Sequence, residues 1–284
     1  MSRRSHLALG WLWFKGRVRL MARTPRTTFF TFVFPLILLV LLNALNDSKV
    51  EVLGGRIRFA QFFTPSVAIF AMTTATYTAI IFGVATAREQ GVLKRVRGTP
   101  LPMSVFLGSW LASAVLTGIV SVVGMFAVAI PVFGVHVYPD LLPAAVVTLL
   151  LGGVAISAIG LAVASFVKRA DGAPIVANLT LFPLLFVSGV FYPIESEPEW
   201  LQRIARFFPL SHLVQAFDAC FSPFTTGSGF SARDLAALAV WGAIGTIVAV
   251  RRFAREALDE ESGHSGRRLW EPTTVKHSTA RRSS

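Results

Sequence analysis

Charge is almost absent from the long apolar stretches of this chain. Only 15% of its 284 residues are charged and 54% are hydrophobic, whereas a soluble domain carries about 25% charged residues. Six apolar runs approach or exceed the roughly 20 helical residues that cross a bilayer. Backbone groups in lipid must satisfy their own hydrogen bonds, so we predict an all-α membrane protein with six transmembrane helices. These lie at approximately Thr28–Leu45, Phe62–Ala87, Ser104–Phe133, Leu141–Val167, Ala173–Tyr192 and Leu235–Val250.

The missing ionisable groups argue against several kinds of function. None of the six runs contains Asp, Glu, Lys, Arg or His away from its ends, although ion- or proton-coupled transporters usually keep such groups at membrane depth. An enzyme acting inside the membrane would need acids, bases or metal ligands there too. The chain also has no GxxxxGK[ST] phosphate loop, no HExxH and no GxSxG. A transport protein of this kind must be powered from elsewhere, and a cytoplasmic ATPase subunit is the obvious source.

Cysteine and histidine give no metal or catalytic site. Cys220 is the only cysteine, so neither an intrachain disulfide nor a cysteine cluster is possible. No histidine has metal-ligand spacing to another histidine or to Cys220. We therefore predict no catalytic residue, no metal site and no cofactor on this chain, with ATP and Mg²⁺ bound by the partner ATPase.

Lysine and arginine are abundant, and their placement predicts the topology. The formal net charge is +12, and 21 of the 27 Lys and Arg residues flank the runs on one side, against six on the other. The positive-inside rule then puts both termini in the cytoplasm of a multi-pass cell-membrane protein. Because the cations flank apolar runs, we expect membrane lipid and no nucleic acid as a partner.

This pattern divides the chain into three parts. Residues 1–27 form a cytoplasmic segment in which tryptophans and cations mix over His6–Ala22, which suits an amphipathic helix in the headgroup plane. A basic flank with frayed structure is the alternative. Residues 28–250 hold the six spans. Residues 251–284 form a polar, basic cytoplasmic tail that we predict to be disordered.

The most informative stretch joins the second and third spans, and we call it the elbow. It reads REQGVLKRVRGTPLP, Arg88–Pro102, and lies between two runs that contain no charged residue. A soluble partner could push or pull on a short cationic segment pinned at one membrane face between two spans. The elbow therefore favours a transport subunit that is driven by another protein.

Uncharged polar residues and phenylalanines in two spans are candidates for the path of an amphipathic substrate. The alternative is hydrogen bonding between helices, worth about 0.6–2 kcal/mol each in membranes. In the fourth span Gly152, Gly153 and Gly160 are predicted to be close-packing positions. The path candidates are Phe70, Thr73 and Tyr77 in the second span and Asn178, Phe182 and Phe186 in the fifth.

The segment Pro193–Ser231, between the fifth and sixth spans, is not simply polar. Apolar residues recur in it near helical spacing, and four prolines interrupt them. We predict short re-entrant helices that dip back into the outer leaflet, where irregular backbone survives only if protein covers it.

Two of these stretches resemble a known family. The elbow resembles the cytoplasmic loop of ABC type-2 transporter permeases, whose usual form is close to RExGTLKRLRATPL. Residues 183–217, PLLFVSGVFYPIESEPEWLQRIARFFPLSHLVQAF, resemble that family's second hallmark. In the hallmark a Ser-Gly near the end of the fifth span is followed by Pro, by Pro-x-Trp-Leu and by a Pro-Leu-Thr-Tyr-like turn. The resemblance covers nearly the whole chain and is nearest to drug-resistance and natural-product exporters, similar to the daunorubicin-resistance branch.

The resemblance implies six helices per subunit, an amphipathic helix before them, and two paired permease subunits, each on an ATP-binding cassette subunit. It implies that the elbow forms the coupling helix, with a smaller second contact at Lys168–Gly172. The residues that it assigns to ATPase contact are Arg88, Glu89, Gly91, Leu93, Lys94 and Arg95. Those that it assigns to the outer gate are Ser188, Gly189, Pro193, Pro198, Trp200 and Leu201.

The chain departs from the family's usual pattern at three positions. Gln90 stands where a charged residue is common, His212 where Tyr is common and Asp218 where Arg is common. These departures affect residue-level expectations for the elbow and the last turn rather than the resemblance itself.

Taken together, the residues and the resemblance predict the permease subunit of an ATP-driven exporter for an amphipathic drug, lipid-like or natural-product molecule. A polysaccharide or lipid-linked glycan is the alternative cargo, although a glycan exporter should present more aromatic residues along a wide channel. A non-transport membrane scaffold or assembly factor is the alternative of another class. The permease could pair with itself or with a different second subunit.

Overall fold

Apolar helices make up most of the protein in a computed structural model, which describes residues 32–46, 48–52, 54–97, 103–194 and 197–268. Short turns, including 3-10 turns at Pro139–Leu141 and Ala170–Gly172, connect them. The helices are α1 (Phe34–Leu45), α2 (Phe59–Thr73), α3 (Ala79–Glu89), α4 (Val92–Arg97), α5 (Met103–Phe133), α6 (Leu142–Ala164), α7 (Ala173–Val187), α8 (Glu199–Ala205), α9 (Pro209–Ala219) and α10 (Ala232–Arg268).

Five described segments are long and apolar enough to cross a membrane, and they correspond to the second to sixth predicted spans. The first predicted span is described only over α1, whose 12 residues are apolar but shorter than a bilayer crossing. Six spans therefore stay a prediction, as does the helix in residues 1–27, which lie outside the described residues. The five segments are Phe59–Glu89, Val105–Phe133, Pro139–Ala164, Ala170–Val187 and Ala232–Glu256.

The second span is continuous but not a regular α-helix throughout. A π-helical turn at Thr74–Thr78 joins α2 to α3. The hydroxyl of Thr74 donates to the carbonyl oxygen of Phe70, and that of Thr76 donates to Met72, each at 2.9 Å. Hydroxyls that bond back to the preceding turn locally disturb an α-helix, and π-turns are one cause of helix kinks.

A β-hairpin, which the sequence pattern did not predict, joins α1 to α2. Its strands, β1 (Lys49–Val52) and β2 (Gly55–Arg58), are antiparallel. Gly54 has a φ of +104°, and a Cβ atom there would lie 2.8 Å from the Phe224 side chain, so the turn needs glycine. We call this end of the bundle the hairpin end. The opposite end, which carries the elbow, is the basic end.

The second span forms the centre of the bundle. α2 packs against α5 and α9, and α3 packs against α6. Glycines of α6 allow this close approach, because a Cβ atom on Gly160 would lie 3.3 Å from the Cα of Tyr77. The prediction that three glycines of the fourth span are close-packing positions is confirmed: Gly160 faces Tyr77, Gly153 faces Met72 and Gly152 faces Leu213.

The last helix corrects one prediction. α10 packs along α6 and continues to Arg268, so residues 251–268 are helical, although they were predicted to belong to a disordered tail. Residues 251–261 contain no Gly or Pro and several strong helix formers, and extending an existing helix is far less costly than starting one. Residues 269–284 lie outside the described residues.

Two short helices lie between the fifth and sixth spans. α9 has 11 residues, too few to cross a bilayer, and it is mostly buried against α2, α6 and α10. Pro209 occupies its first position, where the missing N–H costs nothing. Short helices were predicted here; their re-entry into the outer leaflet stays a prediction.

Candidate functional site

The elbow begins with a sharp turn at the basic end. α3 ends at Glu89, and Gly91 adopts the left-handed conformation with a φ of +68°. The backbone N–H of Arg95 donates to the carbonyl oxygen of Gly91 at 3.1 Å. The guanidinium of Arg95 donates to the carbonyl oxygen of Gln90 at 3.2 Å. These bonds start α4 as a separate short helix directly after the turn. Residues 98–102 lie outside the described residues.

The elbow presents polar side chains outward. Glu89, Gln90 and Arg95 are exposed, and α4 also carries Leu93 and Lys94. Within the described part of the chain the Glu89 carboxylate takes part in no ion pair. This face is therefore open to a partner in the single chain.

Arg88, one residue earlier, points into the bundle. Its Nη2 lies 3.0 Å from both carboxylate oxygens of Glu256 on α10. Its Nη1 donates to the carbonyl oxygen of Val167 and, at 3.4 Å, to that of Ala164. Its guanidinium carbon lies 5.7 Å from the ring centre of Phe253. Arg88 was predicted to contact the ATPase, but its side chain is 19% exposed and its donors bind groups of this chain.

The second predicted contact, Lys168–Gly172, lies beside this cluster. It directly follows Val167, whose carbonyl oxygen accepts from Arg88. Nearby, the guanidinium of Arg252 lies 4.3 Å from the ring centre of Phe166. The two cations of the loop are exposed. The start of the elbow and the start of this loop are therefore in contact at the basic end of the bundle.

The predicted path residues fall into two groups. Those on the second span are buried in the bundle, and those on α7 are exposed. Phe191, which the sequence did not single out, links the groups, because its ring centre lies 6.0 Å from that of Phe70 and 5.5 Å from that of Phe186. The hydroxyls of Tyr77 and Thr180 also meet across the helices at 2.8 Å. The buried set is Phe70, Thr73 and Tyr77, and the exposed set is Asn178, Phe182 and Phe186.

The first residues of the predicted outer gate make a tight turn after α7. Ser188 is fully buried, and its hydroxyl donates to the carbonyl oxygen of Leu184. Gly189 has a φ of +78°, and a Cβ atom there would lie 3.2 Å from Ile194. The Ser-Gly pair therefore ends the helix and reverses the chain, as glycine in this conformation commonly does.

The other gate residues follow this turn. Pro193 lies in the connection, and Pro198 immediately precedes α8. The backbone N–H of Leu201 donates to the carbonyl oxygen of Pro198 at 2.9 Å. Trp200 is 62% exposed. The gate residues are thus neighbours along the chain, but the largest of them faces away from the single subunit.

Comparison with known proteins identifies the family. A family model described as ABC-2 type transporter matches residues 9–221, which is most of the chain. This chain belongs to the ABC-2 type transporter family. The inner membrane transport permease YadH of Escherichia coli (strain K12) is 24% identical over 211 residues, which cover 74% of this chain and 81% of that protein.

Two further relatives of this ABC-2 type chain carry different names. Nodulation protein J of Rhizobium leguminosarum bv. trifolii is 32% identical over 184 residues, 63% of this chain and 68% of that protein. The probable multidrug ABC transporter permease YbhR of Escherichia coli (strain K12) is 26% identical over 161 residues, which cover 55% of this chain and 42% of that protein. The predicted family is confirmed. The chain is a multi-pass membrane component of a transporter, in a family that in general works with an ABC ATPase.

This ABC-2 type chain also has a buried histidine contact that its sequence pattern does not predict. His212 on α9 places Nδ1 2.7 Å from the Asp234 carboxylate on α10 and Nε2 2.9 Å from the carbonyl oxygen of Arg206. Ser231, whose hydroxyl also contacts Asp234, caps the start of α10. A Ser three residues before an acid is a helix-start signal, but nothing in that signal identifies the histidine. Among the described residues no group of three or more His, Cys, Asp or Glu could hold a metal ion.

A buried glutamine at the hairpin end was also missed. The Gln61 amide donates to the carbonyl oxygens of His136, at 2.9 Å, and Phe221, at 2.7 Å. Its own oxygen accepts from the backbone N–H of His136 at 2.8 Å. Gln61 thereby joins the start of α2 to two loops, and its only sequence signal is an amide within an otherwise apolar segment.

Proposed function

We propose that this chain is the transmembrane permease subunit of an ATP-binding cassette exporter, powered by a separate ATPase subunit. Its cargo is an amphipathic drug, lipid-like or natural-product molecule, which it moves out of the cell. The observation that carries the proposal is the elbow. Its exposed polar side chains are open to a partner, while Arg88 binds groups at the ends of the fourth and sixth spans. Membership of a transporter family favours transport over a scaffold or an enzyme.

The ATPase would dock on the basic end. Glu89, Gln90 and Arg95 on the elbow and the exposed cations of the loop at residues 168–172 offer a charged surface of both signs. Such a surface suits a soluble, polar partner, because charged residues at a rim guide encounter and fix register. ATP and Mg²⁺ belong to that partner, and this chain contributes the surface that receives its motion.

The basic end would face the cytoplasm, with both termini on the same side. The distribution of 21 against six Lys and Arg residues supports this orientation. In a Cys220→Ala background, Lys168→Cys should react with an impermeant thiol reagent only after the cells are opened, whereas Glu51→Cys on the hairpin should react in intact cells. The reverse pattern would overturn the orientation.

A second permease subunit, identical or different, would cover the outer face of α7. Ile175, Leu179 and Phe182 are 69%, 72% and 52% exposed in the single chain. Leu41 and Leu45 of α1 are 51% and 71% exposed. Lipid can cover such faces, but two α7 helices facing each other would also bring the exposed path residues of both chains together.

The cargo is inferred from the side chains on that face. Phe182 and Phe186 offer apolar rings, and Asn178 lies one turn away with a neutral amide. This combination suits a molecule with apolar bulk and a few hydrogen-bonding groups. The name of YbhR describes that relative as a probable multidrug permease. A polysaccharide or lipid-linked glycan is the competing cargo and is an outcome of the test below.

The proposal is tested by copurifying the chain with its ATPase and reconstituting the complex in liposomes. Amphipathic drugs should stimulate ATP hydrolysis and be transported, and lipid-linked oligosaccharides should do neither. The purified chain alone should not hydrolyse ATP. Stimulation by the glycans alone would show that the cargo is a glycan rather than an amphipathic drug. Failure of any ABC ATPase to bind the chain would overturn the proposal.

Replacing Glu89 tests the elbow directly. Glu89→Ala removes an exposed carboxylate at the ATPase-facing turn, so membrane insertion and ATPase binding should persist. Transport and drug-stimulated hydrolysis should fall together by about three- to tenfold. Val105→Ile, just beyond the elbow, is the control and should leave both rates unchanged. Parental transport by Glu89→Ala would contradict the role assigned to the elbow.

A further inference from the structure

We propose that Glu256 is a positioning residue for the ATPase contact. By binding Arg88, Glu256 keeps the start of the elbow and the start of the loop at residues 168–172 at a fixed distance from each other and joins both segments to α10. This inference rests on the proposed function, because the spacing matters only if a partner acts on both segments at once.

The geometry around Arg88 supports this role. Nη2 faces both oxygens of Glu256 at 3.0 Å, while Nη1 faces the carbonyl oxygens of Val167 and Ala164 at the end of α6. A planar guanidinium can bind a carboxylate on one edge and carbonyl oxygens on the other, which a lysine ammonium cannot do with fixed geometry. Phe253, 1% exposed, packs beside the guanidinium and limits its rotation. Arg88 is therefore fixed in direction as well as in charge.

The contacts connect segments that are distant in the chain. Glu256 lies 168 residues after Arg88. Arg88 immediately precedes the exposed Glu89, and Val167 immediately precedes the exposed Lys168. One guanidinium thus lies at the base of both predicted ATPase contacts. Without the Glu256 carboxylate, Arg88 would lose its ionic partner on α10 and retain only carbonyl acceptors.

A distance measurement on the purified chain tests the spacing without any activity. Spin labels at Arg95→Cys and Lys168→Cys, in a Cys220→Ala background, report the separation of the elbow and the loop. The distance distribution should widen by about twofold in Glu256→Gln, since an elbow and a loop that are no longer fixed to each other sample more positions. Glu256→Asp, which keeps the carboxylate, should remain close to the parental distribution.

A double variant shows whether Glu256 acts through Arg88. Arg88→Gln and Glu256→Gln should each widen the distribution, and the two together should widen it no more than Arg88→Gln alone, because both remove one interaction. Additive widening would overturn the proposal, since Glu256 would then act elsewhere.

The reconstituted complex gives the functional readout. In Glu256→Gln, ATPase binding should weaken and drug-stimulated hydrolysis should fall by about fivefold, because the two contact segments no longer keep a fixed spacing. Glu199→Gln is the matched control: it removes a second carboxylate–arginine pair of the described residues, Glu199–Arg203. Its charged atoms lie 2.9 Å apart, and its side chains are 84% and 75% exposed. This control should change neither quantity.

The outcomes separate the positioning role from a general loss of structure. Parental distances and parental stimulation in Glu256→Gln would overturn the proposal. If Glu256→Gln does not fold, Arg88→Gln decides, because a parental distribution in that folded variant would equally overturn the proposal. If the parental complex shows no stimulated hydrolysis, the proposed function fails, but the distances in the chain alone still test Glu256.

Discussion

The second and fifth spans contain the same kinds of residue, but the fold uses them differently. Both mix phenylalanines with hydroxyl or amide side chains inside an apolar run. Of an apolar stretch of 18 residues in each span, 72% lies buried within the chain in the second span and 22% in the fifth. The second span therefore packs mainly inside the subunit, while the fifth leaves most of its surface exposed in the single chain. A polar residue in an apolar run is not in itself a sign of a substrate path.

The same substitution, Phe to Ala, should give the largest difference in unfolding free energy between the two spans. Phe70 is 6% exposed and packs edge-on near Phe34, whereas Phe182 is 52% exposed. Phe70→Ala should lower the free energy of unfolding in detergent by about 3 kcal/mol through lost packing. Phe182→Ala should change it by less than about 0.5 kcal/mol. Denaturant titration of both variants measures the difference. Equal losses would show that the two spans do not differ as the structure indicates.

Adding volume against the second span should have the next largest effect. Gly160 lies against the backbone of Tyr77, which cannot move aside as a flexible side chain can. Gly160→Leu should cost about 2 kcal/mol of unfolding free energy, as overpacking does in closely packed interiors. Gly124→Leu is the matched control, because a Cβ atom there would meet no packing neighbour among the described residues within 4 Å. A stable Gly160→Leu variant would remove the argument for close packing at this position.

The hydroxyl contact between the two spans should give the smallest effect. The Thr180 hydroxyl donates to the carbonyl oxygen of Val176 at 2.7 Å, so it can accept from Tyr77. Tyr77→Phe, Thr180→Val and the double variant form a thermodynamic cycle, with an expected coupling near 0.6 kcal/mol, as for other hydrogen bonds between membrane helices. A coupling of zero would mean that the fifth span is not tied to the second by this bond.

The course of the chain through the bundle was largely predictable. The predicted second span, Phe62–Ala87, is observed as Phe59–Glu89, and the fourth, Leu141–Val167, as Pro139–Ala164. The boundaries agree because uncharged runs and their charged flanks reflect the thickness of the bilayer. The hairpin was missed because Lys49–Val52 and Gly55–Arg58 have only four residues each, so their alternation of polar and apolar residues is too short to stand out beside the long apolar runs. The helix over residues 251–268 was missed because polar composition was taken as disorder, although the preceding helix makes its extension favourable.

The candidate site was predictable as a segment but not residue by residue. The motif located the elbow between the second and third spans, and Glu89 and Arg95 on it are exposed, while their contact with an ATPase stays a prediction. The neighbouring Arg88 turns inward because its partners, Glu256 and Val167, come from other parts of the chain. No local pattern around Arg88 indicates either partner.

The sequence by itself determined the membrane class, most of the spans, the family and the position of the elbow, because apolar length, charge placement and local motifs are properties of neighbouring residues. The tertiary structure alone decided which polar groups meet, such as Arg88 with Glu256 or His212 with Asp234. Spans such as α6 and α7 are apolar on all sides and show little preference for one face. In lipid as apolar as leucine, the hydrophobic effect does not choose how such helices rotate. Close packing at small residues and the pairing of distant polar groups make that choice, and both exist only in the folded bundle.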